Sequence, residues 1–261
     1  MMVFDFSFVL VALAALTGVV WGLDRWLFEG KRRARGVAKD PVLVDYARSF
    51  FPVILIVLVL RSFLYEPFRI PSDSMMPTLV HGDFIFVNKW RYGLRLPVIN
   101  TKVVDIGMPE RGDVVVFRKP TDPSLVLIKR LVGMPGDKVQ VIGTQVWING
   151  KPSRIEVGEL YTGPKSEQYP FTQVGEERLG EASHAVLLVQ TRAGLEGEWQ
   201  VPAGHYFMMG DNRNNSQDSR YPDVGYVPEA NIIGKAEAIW LSFDPDRRFH
   251  LLWDRMGTGI R

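Results

Sequence analysis

A chain of 261 residues, 46% of them hydrophobic and carrying a formal net charge of only +2, can bury a full core but offers no broad basic surface for nucleic acid. It has no cysteine, which excludes disulfides, thiolate metal sites and a cysteine nucleophile and leaves the redox compartment open. The length allows one domain or two.

The first element is Phe6 to Leu23, 18 residues without a charge between Asp5 and Asp24. That is close to the ~20 residues a hydrocarbon core demands and predicts a transmembrane helix. A cleavable signal peptide is the competing reading, against which stand the absence of basic residues ahead of the run and the second apolar run that follows. Ser49 to Leu60 is this second run, and it reaches spanning length once Arg61 snorkels and Ser62 to Tyr65 are included. A soluble core helix there would have to accommodate Pro52 and the lack of any polar face. Between the runs, Asp24 to Arg48 holds seven Lys or Arg against four Asp or Glu, whereas Met1 to Asp5 holds no basic residue. Basic loops stay in the cytoplasm, so both ends of the chain are expected outside the plasma membrane. Residues 1–66 thus read as a membrane anchor, with spans at about 6–23 and 49–65 and a cytoplasmic loop at 24–48.

Beyond the anchor the pattern is mainly β. Asp83 to Lys89, Asp113 to Arg118, Leu125 to Val132 and Lys138 to Ile142 are short apolar runs punctuated by Gly, Pro and Asp, and Asn149-Gly150 predicts a hairpin turn. From Lys151 to Gln200 the texture turns polar around one apolar run, Ala185 to Val189, and reads as an inserted subdomain. The dense pattern resumes at Val201, giving a β core from residues 67–150 and 201–245 and a tail from 246–261. In the tail, Arg247 to Trp253 mixes basic and aromatic residues and suits either contact with anionic lipid or a terminal strand.

Two stretches carry chemistry: Pro71-Ser72-Asp73-Ser74-Met75-Met76-Pro77-Thr78, just past the second span, and Ile128-Lys129-Arg130 at the end of an apolar run. A serine hydroxyl needs a base to take its proton, and an amine serves only when largely neutral. Lysine's pKa of ~10.4 falls by several units on desolvation, and Leu125 to Ile128 lead Lys129 into such a setting. Ordinary exposed lysines at strand ends are far commoner, so Lys129 alone would say little. Arg130 is expected on the opposite face, in a surface ion pair. His81, His184, His205 and His250 show neither nucleophile-elbow nor zinc spacing, His81 and His205 read as structural, and no metal or cofactor is expected.

Pro71 to Leu79 followed by His81-Gly82-Asp83, Arg111 to Phe117, Ile128 to Asp137 and Gly210 to Arg220 resemble the ordered boxes of bacterial signal peptidase I, over nearly the whole chain except 151–200. The resemblance implies a mainly β, signal-peptidase-type catalytic domain behind two transmembrane helices. It would be an endopeptidase of the inner membrane, with its catalytic domain on the periplasmic side, that removes signal peptides from exported preproteins. Phospholipid and the export channel are the further partners to expect. Carried over residue by residue, Ser74 would be the nucleophile and Lys129 the general base. Ser72 would serve the oxyanion hole beside the Ser74 N–H, and Ser216 would orient the Lys129 ammonium. Asp218 with Arg213 or Arg220 either holds the Ser216 loop by a buried charge pair or is solvated surface charge. Phe68, Ile70, Pro71, Met75, Leu79, Leu127 and Ile128 resemble the family's apolar pocket for small side chains such as alanine, and as core residues they would look the same. Asp73 stands between the serines where some relatives have glycine, and on a strand its side chain would point away from the site. Self-cleaving repressors share the dyad but are soluble DNA binders, which the two spans oppose, and a non-enzymatic membrane module would not require Ser74, Lys129 and Ser216 together.

Overall fold

The structure, a computed structural model, describes residues 6–36, 39–96, 101–189, 194–244, 246–247 and 250–260. Met1 to Asp5 of the anchor and Arg248-Phe249 of the tail lie outside the described residues. The chain divides into two compact units, Met1–Tyr65 with Leu94–Val104, and Glu66–Gly93 with Asp105–Arg261.

In the first unit each apolar run forms one long helix, α1 (Phe6–Leu27) and α3 (Val42–Phe63), with the short α2 (Glu29–Ala34) between them. Both helices outrun the uncharged stretches that announce them. Helical hydrogen bonds continue past the charged residues Asp24 and Arg25 in α1 and Asp45, Arg48 and Arg61 in α3, so hydropathy marks the apolar body and not the ends. α1 passes α3 closely at Gly18, where a Cβ would lie 2.8 Å from the Phe51 ring, and Trp21 packs on the same ring at 5.6 Å between centroids. Phe8–Leu27 and Val42–Phe63 are long and apolar enough to cross a membrane. Leu16, Val19, Ile56 and Val59 on these helices are exposed, whereas the core helix of a soluble protein would bury them.

The strands follow in chain order: β1 (Tyr65–Arg69), β2 (Asp83–Asn88), β3 (Leu94–Arg95), β4 (Lys102–Val104), β5 (Val114–Lys119), β6 (Asp122–Gly133), β7 (Lys138–Ile142), β8 (Gln145–Ile148), β9 (Lys151–Pro152), β10 (Arg154–Leu160), β11 (Gln173–Leu179), β12 (Ala182–Leu188), β13 (Gly197–Gln200), β14 (His205–Met209), β15 (Val227–Pro228) and β16 (Ile232–Ser242). The fold is mainly β. Seven strands form the largest sheet, in the order β1-β2-β16-β5-β6-β14-β15, and β3 and β4 form a separate ribbon in the first unit.

A four-stranded sheet, β13-β7-β8-β9, turns from β8 to β9 at Asn149-Gly150, whose φ values of 52° and 77° are those a tight primed hairpin turn demands. Residues 151–200 supply β10, β11 and β12, which form a three-stranded sheet, and also β9 and β13, the two edge strands of the four-stranded sheet.

Strand β6 positions the chemistry. Its first five residues are exposed, Leu127 is half-buried, and Ile128 to Gly133 are buried, so the strand runs from solvent into the core within one residue of Lys129. Lys129 lies opposite Val115 of β5, and Leu127 and Leu131, two residues to either side on the same face, pack with Val115, Phe117, Tyr206 and Met208. Ile128 packs on the other face with Ile70, Met75, Leu79, Val114 and Val116. Both faces of β6 are therefore covered.

Candidate active site

Ser74 lies in the turn-rich stretch that follows β1, outside any strand. This segment is tied down by its own backbone: Asn212 N–H donates to Ser74 O (3.1 Å), and Asn212 Nδ2 donates to Asp73 O (3.1 Å). Met75 and Leu79 bury their side chains beneath it. The Lys129 Nζ, from the buried half of β6, donates to Ser74 Oγ at 2.6 Å and to Ile128 O at 2.9 Å. Ser72 Oγ stands 3.4 Å from Ser74 Oγ.

Lys129 is only 3% exposed. Burial pushes its ammonium down from 10.5 to about 8, against the carboxylates of Asp218 and Asp211, which pull it up, while Arg220 adds to the lowering. At pH 8 roughly half of these amines are neutral. Such an amine can accept a proton from a hydroxyl in hydrogen-bond contact, which makes Ser74 and Lys129 a chemically competent pair.

Ser216 reaches the same cleft, a space of about 640 Å³ whose lining includes Pro71, Ser72, Ser74, Leu127, Lys129 and Ser216. Its buried Oγ has no hydrogen-bond partner among the described residues and so is not bonded to Lys129. It packs against Gly210, where a Cβ would press on the Ser216 hydroxyl and sit 2.5 Å from Ser74 O. Only glycine lets the two serine segments approach this closely.

Of the apolar residues singled out from sequence, Pro71 and Leu127 line the cleft. Ile70, Met75, Leu79 and Ile128 lie in the core cluster, with Phe68 packed against it. His81 is half-buried and also lines the cleft, whereas His205 hydrogen-bonds locally to Ala203 O.

Three buried ion pairs stand behind the serines. Arg130 does point away from Lys129, but its face of β6 is covered, so the surface pair expected from sequence is instead a fully buried one. Its Nε and Nη2 donate to Asp211 Oδ1 and Oδ2, each at 2.7 Å, and Nη1 donates to Gly112 O at 2.6 Å. Burial pushes the Asp211 carboxyl up, but Arg130, His184 and Thr78, whose Oγ1 donates at 2.5 Å, outweigh it and hold the group below the usual range.

Asp218 pairs with Arg220 (2.8 and 2.9 Å) and accepts the Gly210 N–H (3.0 Å), so it fastens the turn against which Ser216 packs. Arg213 pairs with Glu177 of β11 instead, through Nη1 at 2.8 Å and a second, shorter contact from Nη2. His184 lies 3.2 Å from the same carboxylate and 3.8 Å from Asp211; burial lowers its pKa despite both acids.

Sequence reasoning assigned no role to Asp211, Glu177, Thr78, His184 or Asn212. Arg130 and Asp211 belong to two of the recognised boxes, but they are 81 residues apart and nothing in their spacing pairs them. The Asp73 side chain, expected to point off a strand, is instead held in a turn by Lys165 and Tyr169, residues of the stretch whose role the sequence leaves open.

Comparison with known proteins identifies the family. A family model described as signal peptidase, peptidase S26, matches residues 43–241. The chain is 45% identical to a signal peptidase I of Pseudomonas fluorescens, with 95% of each chain covered, and 45% identical to one of Pseudomonas aeruginosa, with 99% of each covered. A solved signal peptidase I structure from Enterococcus faecalis V583 is 29% identical, covers 50% of this chain and 98% of its own, and superimposes with a TM-score of 0.31. The chain belongs to the signal peptidase family, peptidase S26, within its signal peptidase I members.

Proposed function

We propose that the protein is a membrane-bound serine endopeptidase that cleaves signal peptides from exported preproteins, with Ser74 as nucleophile and Lys129 as general base. The observation that carries this reading is the 2.6 Å approach of Lys129 Nζ to Ser74 Oγ at a lysine that burial has brought to about 8. When the amine is neutral, the Ser74 hydroxyl donates to it. Oγ attacks the scissile carbonyl carbon as Nζ takes the proton, and the ammonium then returns that proton to the leaving amine, giving an acyl-enzyme and the free mature N-terminus. Water repeats the sequence in reverse and regenerates Ser74. Ser72, whose hydroxyl lies beside Ser74, donates to the oxyanion together with the Ser74 N–H. Ser216 orients the Lys129 ammonium once it carries the proton, a partner that its buried hydroxyl otherwise lacks.

Pro71 and Leu127 form apolar walls for the small side chain before the cut. Residues 67–150, apart from the 94–104 stretch that belongs to the first unit, and 201–245 make the catalytic core, and 151–200 are an insert in it. The basic stretch between the apolar helices favours an orientation with that loop in the cytoplasm and the core on the outer side, near phospholipid and the export channel.

The test is cleavage of a preprotein bearing an Ala-x-Ala site by detergent-solubilised protein. Wild type is expected to release the signal peptide, and folded Ser74→Ala and Lys129→Met to release none measurable. Cleavage by both variants at the wild-type rate would remove the dyad from the mechanism.

A further inference from the structure

We propose that the loop between β10 and β11 is a brace for the nucleophile, acting through Lys165 and Tyr169 on Asp73; this rests on reading Ser74 as the nucleophile. Asp73 is bonded to Ser74 through the backbone, and its carboxylate is gripped at both oxygens by Lys165 Nζ, 2.9 Å from each. The two side chains are 12% and 17% exposed, so water screens the pair far less than a surface ion pair. The Tyr169 hydroxyl adds a longer contact to Asp73 Oδ2 (3.3 Å) and accepts from Asn215 Nδ2 (2.9 Å), the residue next to Ser216. One tyrosine therefore joins the segment of Ser74 to that of Ser216.

The loop is built to hold these side chains still. Its base is closed by the Tyr161 N–H donating to Thr172 O at 2.8 Å, and within it the Tyr161 hydroxyl donates to Pro164 O at 2.9 Å. The Tyr169 ring is buried in a cluster with Met76 and Val80, directly behind the nucleophile segment. Lys165 adopts φ 60°, the left-handed region that a lysine side chain disfavours. A free loop would relax out of that conformation, and here it places the ammonium on Asp73.

Neither Lys165 nor Tyr169 is hydrogen-bonded to Ser74 Oγ or Lys129, so both are positioning residues. A displacement of about 1 Å at a reacting atom costs about a hundredfold in rate. Removing one partner leaves the other charge largely buried and unpaired, which lowers stability as well. Loss of the brace is therefore read in kcat per folded molecule, at a temperature where every variant is folded.

The experiment compares full-length, detergent-solubilised wild type with Ser74→Ala, Lys165→Met, Asp73→Asn, Lys165→Arg and the Lys165→Met/Asp73→Asn double variant on the Ala-x-Ala preprotein, with a melting curve for each. Lys165→Met and Asp73→Asn are each expected to lower kcat per folded molecule about tenfold or more, with KM within about twofold and a lowered melting temperature that stays above the assay temperature. The double variant should be no worse than the worse single, because both remove one contact, and Lys165→Arg should keep most of the activity. Wild-type kcat in the singles, losses that multiply in the double, or losses that only track unfolded protein would overturn the brace. If Ser74→Ala cleaves normally, the reading of the site fails as well; if it is dead while Lys165→Met keeps wild-type kcat, the brace alone fails.

Discussion

As the proposed general base, the Lys129 amine depends on being in the wrong place for a charge. A lysine near 10.5 in the unfolded chain and about 8 in the folded one binds more protons unfolded, so stability at this group rises with pH between those two values and is most reduced below pH 8. Replacing it with methionine, of similar length and no charge, should abolish cleavage yet stabilise the fold at pH 7 by up to about 3 kcal/mol. The gain should fade as pH approaches 10.5, and denaturant melts at pH 7, 9 and 10.5 would measure it. On the proposed mechanism, cleavage depends on the same deprotonation in the opposite sense. In wild type, kcat/KM should climb about tenfold per unit below pH 7 and level off above about pH 9, where the amine is neutral. A rate independent of pH from 5 to 9 would leave Lys129 without the role of base. Its candidacy is legible in the sequence because an apolar run leads into it, whereas the value near 8 depends on Asp211, Asp218 and Arg220, which arrive from elsewhere in the chain.

Strand β6 and the Gly210 to Arg220 turn show how elements convert single residues into a site. Alternation along β6 places Lys129 and Arg130 on opposite faces, as a strand must. It does not say that both faces are covered, which is what turns Arg130 from a surface cation into the buried partner of Asp211. Sequence gives the period of a strand and not the layers packed on it. The Gly210 turn is legible as a turn, but its reason is tertiary: a side chain there would strike the Ser216 hydroxyl and Ser74 O. Gly210→Ala should therefore part the two serine segments, lowering cleavage a hundredfold or so while destabilising by about 1–3 kcal/mol as overpacking does. Kinetics and thermal melting of the purified variant would show whether the rate loss exceeds what the small loss of folded protein explains. The apolar residues near Ser74 illustrate the same limit. Ile70, Met75 and Leu79 share composition and neighbourhood with Pro71 and Leu127, but only packing separates residues beneath the segment from residues lining the cleft.

Across the whole chain, the two-helix unit and the β unit expose different surfaces. The two long helices expose leucine, isoleucine and valine, while the β unit buries such residues in its core clusters. The natural absence of cysteine makes orientation directly measurable. With single cysteines introduced at Arg35 and at Glu156, a membrane-impermeant maleimide added to intact spheroplasts should label position 156 and reach position 35 only after lysis. Labelling in the reverse order would invert the proposed orientation. By itself the sequence determined the class of fold, the two apolar runs, the serine and lysine in their settings and the family, because periodicity, hydropathy and ordered motifs are local properties of the chain. The layering over β6, the pairing of Arg213 with Glu177 and the grip of Lys165 on Asp73 were decided by the tertiary structure. Each joins residues tens of positions apart, and contacts at that separation are set by how the sheets stack and not by any pattern along the chain.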